Sequence, residues 1–379
     1  MRKLSATLDV SAVPAQPAGA GRYTIEVAAA LVASGRLDLT LLTRRSDQAR
    51  WEAMGAERSL AIVPDHRVGR LAYERWRMGR AVDRLGVSVH HAPHYTMPGA
   101  MRTPAVVTIH DVTFFERPEV HESAKVRFFT QAIRRAATTA GALVCVSQRT
   151  ADRLVRHVEV AVPVVVAPHG IDHARFVPTE PSLGADARHL EQLGLAPEAE
   201  RIVSLGTLEP RKGISTLITA FEELAVDRPD LELAIAGQRG WGTAEIDAVV
   251  RSSAHGDRIR LLGYVPDEAV PALLRTAAVV AYPSIDEGFG LPALEALACG
   301  ARLVTTAGSV MEEICGSAPW LCDPSDASSL AAALALALDA DPAEVHRRRR
   351  LGVDEAGQFT WERSASLHLE AYGIAAGTT

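Results

Sequence analysis

The chain has 379 residues, a formal net charge of -6, 47% hydrophobic and 23% charged residues. That length accommodates two domains with full cores, the composition is that of a soluble globular protein, and the acidity gives no reason to expect general nucleic-acid binding. Four cysteines (Cys145, Cys299, Cys315, Cys322) form no CxxC pair, so neither a zinc site nor a disulfide framework is indicated.

Leu4 to Val10 reads as a first strand, followed by a Pro-rich turn and the glycine-bearing stretch Gly19-Ala-Gly21-Arg-Tyr-Thr, with a helix after it carrying Ile25, Val27, Ala28, Leu31 and Val32. Gly19-x-Gly21 after a strand suggests a dinucleotide fingerprint, but its third glycine falls at Thr24. A plain glycine-rich connection explains the stretch equally well. Leu37 to Thr43 and Leu60 to Val63 are further strands. Pro64 to Leu85 reads as a basic helix: Arg67, Arg70, Arg75, Arg77, Arg80 and Arg84 stand against Asp65, Glu74 and Asp83, with Leu71, Trp76 and Met78 among them. Such a run is a solvated face or an interfacial surface. Val87 to His91 is a short strand; alternation sends His90 and His91 to opposite faces, and no ligand-spaced carboxylate or cysteine accompanies them or His94, so no metal is expected. Ala105 to Ile109 delivers His110 and Asp111 at its carboxyl end, the side on which ligands bind in open parallel sheets. His110 is either a packed histidine or a ligand contact. Ala142 to Ser147 and Val162 to Val166 complete this half.

The sequence turns to Pro, Gly, Asp and Glu in 179–199, which reads as a linker. Strands then resume at Arg201 to Gly206, Leu231 to Gly237, Ile259 to Gly263, Val279 to Tyr282 and Arg302 to Thr305. After Gly206, the segment TLEPRKG leads into a helix with Ile214, Leu217, Ile218, Phe221 and Leu224 on one face. Arg211 and Lys212 precede that helix, so their charges add to its dipole beside an anion. The stretch Tyr282 to Gly300 is the most informative. Gly288 and Gly290 free the loop backbone, Pro292 suits a first helical position, and Glu287 and Glu295 flank the helix N-terminus, where an anion is favoured. Two carboxylates there suit the hydroxyls of a sugar or ribose rather than a phosphate itself.

Glu287, seven intervening residues and Glu295, set in EGFGLPALEALACG, resemble the signature of family 4 retaining glycosyltransferases, of GT-B fold. The GxGRYT-type loop at Gly21, HDVTFF at His110, HGID from His169, GTLEPRKG from Gly206 and FTWER from Phe359 also resemble segments of that family. The resemblance implies two Rossmann-like parallel α/β domains facing across a cleft, with a C-terminal helix crossing back to the first. The expected division is 1–178, acceptor side; 179–199, linker; 200–358, nucleotide-sugar side; and 359–379, the returning helix.

It further implies transfer of a hexosyl group, mannose-like favoured, from a GDP-, UDP- or dTDP-linked sugar to a hydroxyl of a glycan or glycolipid in cell-envelope polysaccharide synthesis. Lys212 and Arg211 would carry the leaving phosphate charge, Glu287 and His110 the sugar, and Glu295 the ribose. Gly288, Phe289, Gly290, Leu291, Gly206, Val265 and Gly21 would line the donor site. Many relatives have Gly-Arg where this chain has Gly206-Thr207, so Arg211 is the candidate replacement. No cofactor and no metal are expected. The N-terminus lacks a secretion-type apolar core and no apolar run approaches the roughly 20 residues of a spanning helix. A cytoplasmic enzyme, with peripheral contact to the inner membrane face, is the expectation. The rival readings are a weakly catalytic nucleotide-sugar sensor or partner subunit and a nicotinamide oxidoreductase.

Overall fold

The computed structural model describes residues 3–17, 19–56, 58–178 and 184–378. The chain divides into two compact units, Met1–Gly170 with Thr360–Thr379, and Ile171–Phe359.

The first unit is built on seven parallel strands: β1 (Leu4–Asp9), β2 (Leu37–Arg44), β3 (Arg58–Val63), β4 (Val89–Ala92), β5 (Ala105–Ile109), β6 (Ala142–Cys145) and β7 (Val164–Val166). Their order is β3-β2-β1-β4-β5-β6-β7, so the chain reverses its direction of travel across the sheet between β1 and β4. Both faces are covered, which is why the strands read as apolar runs. Along β5 and β6, Val106, Ala142 and Val144 enter one core with Val27 and Leu31 of the helix Ala20–Ala33. Val107, Ile109, Leu143 and Cys145 enter the other with Ile133 and Leu154.

The helix Trp361–Ala376 completes the first of these cores, placing Trp361, Ala365, Ala371 and Tyr372 in it. Its start is capped by Thr360, whose hydroxyl accepts from Arg363 N. Its polar anchors are buried. Tyr372 Oη meets His91 Nδ1 at 2.7 Å, and Tyr23 Oη meets both His368 Nε2 (2.7 Å) and Thr108 Oγ1 (2.8 Å). His91 Nε2 lies 2.8 Å from the same Thr108 hydroxyl, while His90 turns the other way to Thr7 Oγ1 at 2.9 Å.

Two features of this unit depart from the sequence reading. Gly21 is not in a loop but is the second residue of the helix that starts at Ala20. Lacking a side chain, it lets Pro14 and Pro17 lie close by; a Cβ there would meet them at 3.2 and 3.3 Å. The basic helix is three pieces, Arg67–Tyr73, a π-helical turn Glu74–Met78, and Gly79–Leu85. Within it Met78 is buried but Trp76 is 71% exposed. Elsewhere in the unit the Arg135 guanidinium donates to the carbonyls of Met97, Pro98 and Gly99 and clamps that loop.

The second unit has six parallel strands: β8 (Arg201–Leu205), β9 (Glu232–Ala236), β10 (Ile259–Gly263), β11 (Val279–Tyr282), β12 (Leu303–Thr306) and β13 (Trp320–Cys322). Their order is β10-β9-β8-β11-β12-β13, reversing between β8 and β11. The sequence reading lacked β13. Leu217 and Phe221 of the helix Ile214–Ala225 pack with Leu330 and Leu334 of the helix Ala327–Leu338 in the core of this unit. The stretch expected to be a linker contains a helix, Ala185–Gln192, within the second unit. Its buried Asp186 receives two hydrogen bonds from Arg275, at 2.6 and 3.0 Å.

Candidate active site

Where strand order reverses in an open parallel sheet, the two loops leaving the carboxyl ends diverge and open a crevice. In the second unit these are the loops after β8 and β11, and both hold the residues singled out from sequence. After β8 the chain passes Gly206 and makes a 3-10 turn over Pro210–Lys212 before the helix Ile214–Ala225. After β11 it runs from Pro283 to Gly290 into the helix Leu291–Ala298.

The two loops are locked together at Gly213, which has φ 67°; a Cβ there would lie 2.3 Å from the Pro283 carbonyl oxygen. Only glycine allows that backbone and that approach. Ile285 N donates to Arg211 O at 2.8 Å, a second tie between the loops.

This locking brings Glu287 onto both cations. Its carboxylate accepts from Arg211 Nη1 at 2.7 Å and from Tyr282 Oη at 3.0 Å, and it also pairs with Lys212 Nζ. Lys212 Nζ lies 3.1 Å from the Tyr282 hydroxyl, and Arg211 Nε pairs with Glu209 at 2.6 Å. Glu287 is only 8% exposed. Burial pushes its carboxyl up, but the charges of Arg211 and Lys212 outweigh that and hold it well below the usual carboxylate range. Burial pulls the Lys212 ammonium down, opposed by Glu287. Tyr282 is driven well above its ordinary value by burial and by the adjacent carboxylate, so its hydroxyl stays protonated.

Gly206 lies beneath the Lys212 side chain, about where a Cβ would be 3.9 Å from Lys212 Cε. Phe289 is buried, edge-on to Phe359 at 5.8 Å. Gly290 caps the helix Leu291–Ala298 with φ 105°, and a Cβ on it would strike Met311 Cε at 2.2 Å. Glu295 is 3% exposed and sits in the second turn of that helix. Val265 is buried just past β10, at the same carboxyl edge of the sheet but two strands from β8.

His110 and Gly21 belong to the first unit, as do the histidines around them. His110 follows β5 directly, and its Nε2 lies 2.8 Å from the Pro93 carbonyl. A carbonyl can only accept, so Nε2 carries the proton and Nδ1 is the acceptor. Burial pulls the ring below its ordinary pKa, which keeps it neutral. Sequence reasoning missed Tyr282 and Glu209 as members of the charged cluster; the one reads as a strand-end aromatic, the other as a loop acid.

Two family models match successive parts of the chain: Glycosyltransferase Family 4 over residues 17–175 and Glycosyl transferases group 1 over residues 186–352. The chain is 30% identical over 288 residues to the O-antigen chain mannosyltransferase B of Escherichia coli, a match spanning 76% of this chain and 74% of that protein. The chain belongs to the family 4 glycosyltransferases. This glycosyltransferase also shares its fold with solved structures of low identity. Sucrose-phosphate synthase from Thermosynechococcus elongatus superposes with a TM-score of 0.77 at 21% identity, covering 97% of this chain and 98% of that one. Anabaena Alr3699/HepE in complex with UDP-glucose superposes with a TM-score of 0.75 at 18% identity, covering 97% and 99%. The glycosyltransferase is therefore of GT-B fold, with its two Rossmann-like sheets in one chain. Among its described residues no helix is long and apolar enough to cross a membrane.

Proposed function

We propose that this glycosyltransferase transfers a hexosyl group, mannose-like favoured, from a nucleotide-sugar to a hydroxyl of a glycan or glycolipid, with retention at the anomeric carbon. The observation that carries the reading is the cluster of Arg211, Lys212 and Glu287 where β8 and β11 part. The mannosyltransferase relative favours the sugar, and the UDP-glucose held by a protein of the same fold favours the donor class.

Two adjacent cations ahead of the N-terminus of the helix Ile214–Ala225 suit a diphosphate leaving group, whose charge grows as the bond from the anomeric carbon to phosphate oxygen breaks. The acceptor oxygen forms its bond to that carbon on the face the phosphate leaves. The acceptor proton passes to a phosphate oxygen, so no protein base is required. Arg211 supplies the second cation that relatives place after the glycine at position 206. Glu287, released from part of its ion pairing by the diphosphate, accepts hydroxyls of the sugar, and Glu295 accepts those of the ribose. His110 offers Nδ1 as a further hydroxyl acceptor. Gly288, Phe289, Gly290 and Leu291 present backbone to the donor, and Val265 stands where the base would lie.

The test is donor hydrolysis and transfer with GDP-mannose, UDP-glucose and dTDP-glucose, the anomer of the product read by NMR. Lys212→Ala should lower turnover of the accepted donor at least a hundredfold. Near-normal turnover in the folded variant removes Lys212 from the catalytic set. An inverted product refutes retention.

A further inference from the structure

Tyr282 is the last residue of β11, a strand held between β8 and β12. It stands in register with Thr305 of β12, whose hydroxyl donates to the Tyr282 carbonyl at 2.8 Å, and it is 3% exposed. From that fixed root its phenol reaches the charged cluster of the two loops. The direction of its hydrogen bonds follows from its neighbours, since an ammonium only donates and a carboxylate only accepts. The Tyr282 hydroxyl therefore accepts from Lys212 Nζ at 3.1 Å and gives its one proton to Glu287 Oε1 at 3.0 Å.

Among the described residues the Glu287 carboxylate takes hydrogen bonds from three side chains: Arg211 on Oε2, and Lys212 and Tyr282 on Oε1. Two of the three are cations on long, flexible stems, carried by the turn Pro210–Lys212. A diphosphate that draws Arg211 and Lys212 toward its oxygens draws them off Glu287. The third donor is neutral and anchored in the sheet. Burial and the adjacent carboxylate keep its proton on the phenol, so a phosphate cannot take it away.

The surroundings make such a donor necessary. Burial pushes the Glu287 carboxyl up, and it is the charges of Arg211 and Lys212 that oppose this. The other acids nearby bring no help: Glu209 pairs with Arg211 Nε at 2.6 Å, and Asp286 offers Arg211 its carbonyl at 3.3 Å. With the cations turned to phosphate, the Tyr282 hydroxyl is the bond that remains.

Resting on the transferase reading above, we propose that Tyr282 is a positioning residue whose hydroxyl keeps the Glu287 carboxylate aimed at the sugar hydroxyls while Arg211 and Lys212 turn to the diphosphate. The phenol itself neither touches the donor nor exchanges a proton with it.

The experiment is Tyr282→Phe in the full chain, with whichever of GDP-mannose, UDP-glucose and dTDP-glucose the wild type turns over. Phe keeps the ring and its packing. Titration calorimetry with the matching nucleoside diphosphate counts the folded sites, so turnover is expressed per competent site. The kcat should fall about ten- to a hundredfold, the fold-change of one lost hydrogen bond to a charged group. Donor KM and nucleoside diphosphate affinity should stay within about threefold, because both cations remain. The acid limb of the kcat–pH profile should move up by about one unit, because the carboxylate loses a bond to its charged form. A merely structural tyrosine would lower the number of competent sites and leave that limb in place. On a Glu287→Ala background, adding Tyr282→Phe should reduce kcat by less than about twofold more. The proposal is overturned if Tyr282→Phe keeps the wild-type kcat, if its acid limb does not move, or if its loss multiplies in full on Glu287→Ala. Each of those results leaves the transferase reading standing. A wild type that turns over none of the three donors refutes the transferase reading and the role of Tyr282 with it.

Discussion

Replacing Glu287 by Gln should make the protein less stable and its grip on nucleoside diphosphate tighter. The side chains of Glu287 and Lys212 are 9% and 11% exposed, and Arg211 is 23% exposed. Gln keeps the volume and one acceptor oxygen for Tyr282, but it removes the charge that Arg211 and Lys212 share. Breaking one side of a buried ion pair costs about 3–5 kcal/mol. The partial exposure of Arg211 puts the expected loss at the lower end, about 3 kcal/mol. For a domain of this size that is a fall of roughly 6–12 °C in Tm. The two unneutralised cations then attract a diphosphate more strongly, so GDP, UDP or dTDP should bind tighter and restore part of the lost Tm by mass action. Turnover should nevertheless drop, because the sugar loses its carboxylate. Thermal melts with and without each nucleotide, titration calorimetry and a donor-turnover assay measure all three effects. Unchanged Tm together with unchanged nucleotide affinity would refute the reasoning, since the ion pairs would then carry no energy.

Glu295→Ala should weaken nucleotide binding by about 1.5–3 kcal/mol, the range for a hydrogen bond to a charged group; unchanged affinity by calorimetry would make Glu295 purely structural. Acid should destabilise the first unit in a specific window. Burial depresses His90 and His368 to about 4, so the unfolded chain takes up their protons first as pH falls below about 6.5, and stability above that pH is unaffected. From pH 7.5 to 5.5 the two should remove roughly 3 kcal/mol, and His368→Gln should flatten the profile. A urea midpoint that does not move over that range in the wild type would contradict this. Finally, exposed Trp76 among Arg75, Arg77 and Arg80 should carry the protein onto anionic vesicles at low salt, weakening as ionic strength shortens the screening length to about 8–10 Å. Replacing the three arginines should reduce sedimentation with vesicles and spare nucleotide affinity; failure of the wild type to sediment at low salt favours an acceptor free in solution.

The parallel strands were readable in sequence because burial on both faces demands apolar runs such as Val279–Tyr282, and glycine and proline mark their ends. The short strand Trp320–Cys322 was not, since three residues give no pattern. Helix Ala185–Gln192 lay hidden in a polar stretch; Leu190 is its one fully buried apolar side chain, and an ion pair to Arg275 fixes it instead. The cations and carboxylates of the second unit were legible one by one. Their mutual pairing was not, because Lys212 and Glu287 are 75 residues apart and meet only through the close approach at Gly213. Gly21 misled for a related reason: its lack of a side chain serves close packing against Pro14, not loop freedom. Alternation correctly sent His90 and His91 to opposite faces, but could not foresee Tyr372 as a partner 281 residues downstream.

The helix Trp361–Ala376 belongs to the first unit although the whole second unit is synthesised before it. From Gly170 to Ala376 the ribosome must add 206 residues, about 10–40 s at ordinary bacterial elongation rates. Throughout that interval Val27, Leu31 and the facing strand residues have no Tyr372 or Ala371 against them, and Tyr23 has no His368. The unit made last is therefore the first able to finish folding, and the unit made first waits for the final turns of the chain. A nascent chain stalled before residue 361 would present an apolar sheet face to the cell, a natural substrate for a holding chaperone or a protease.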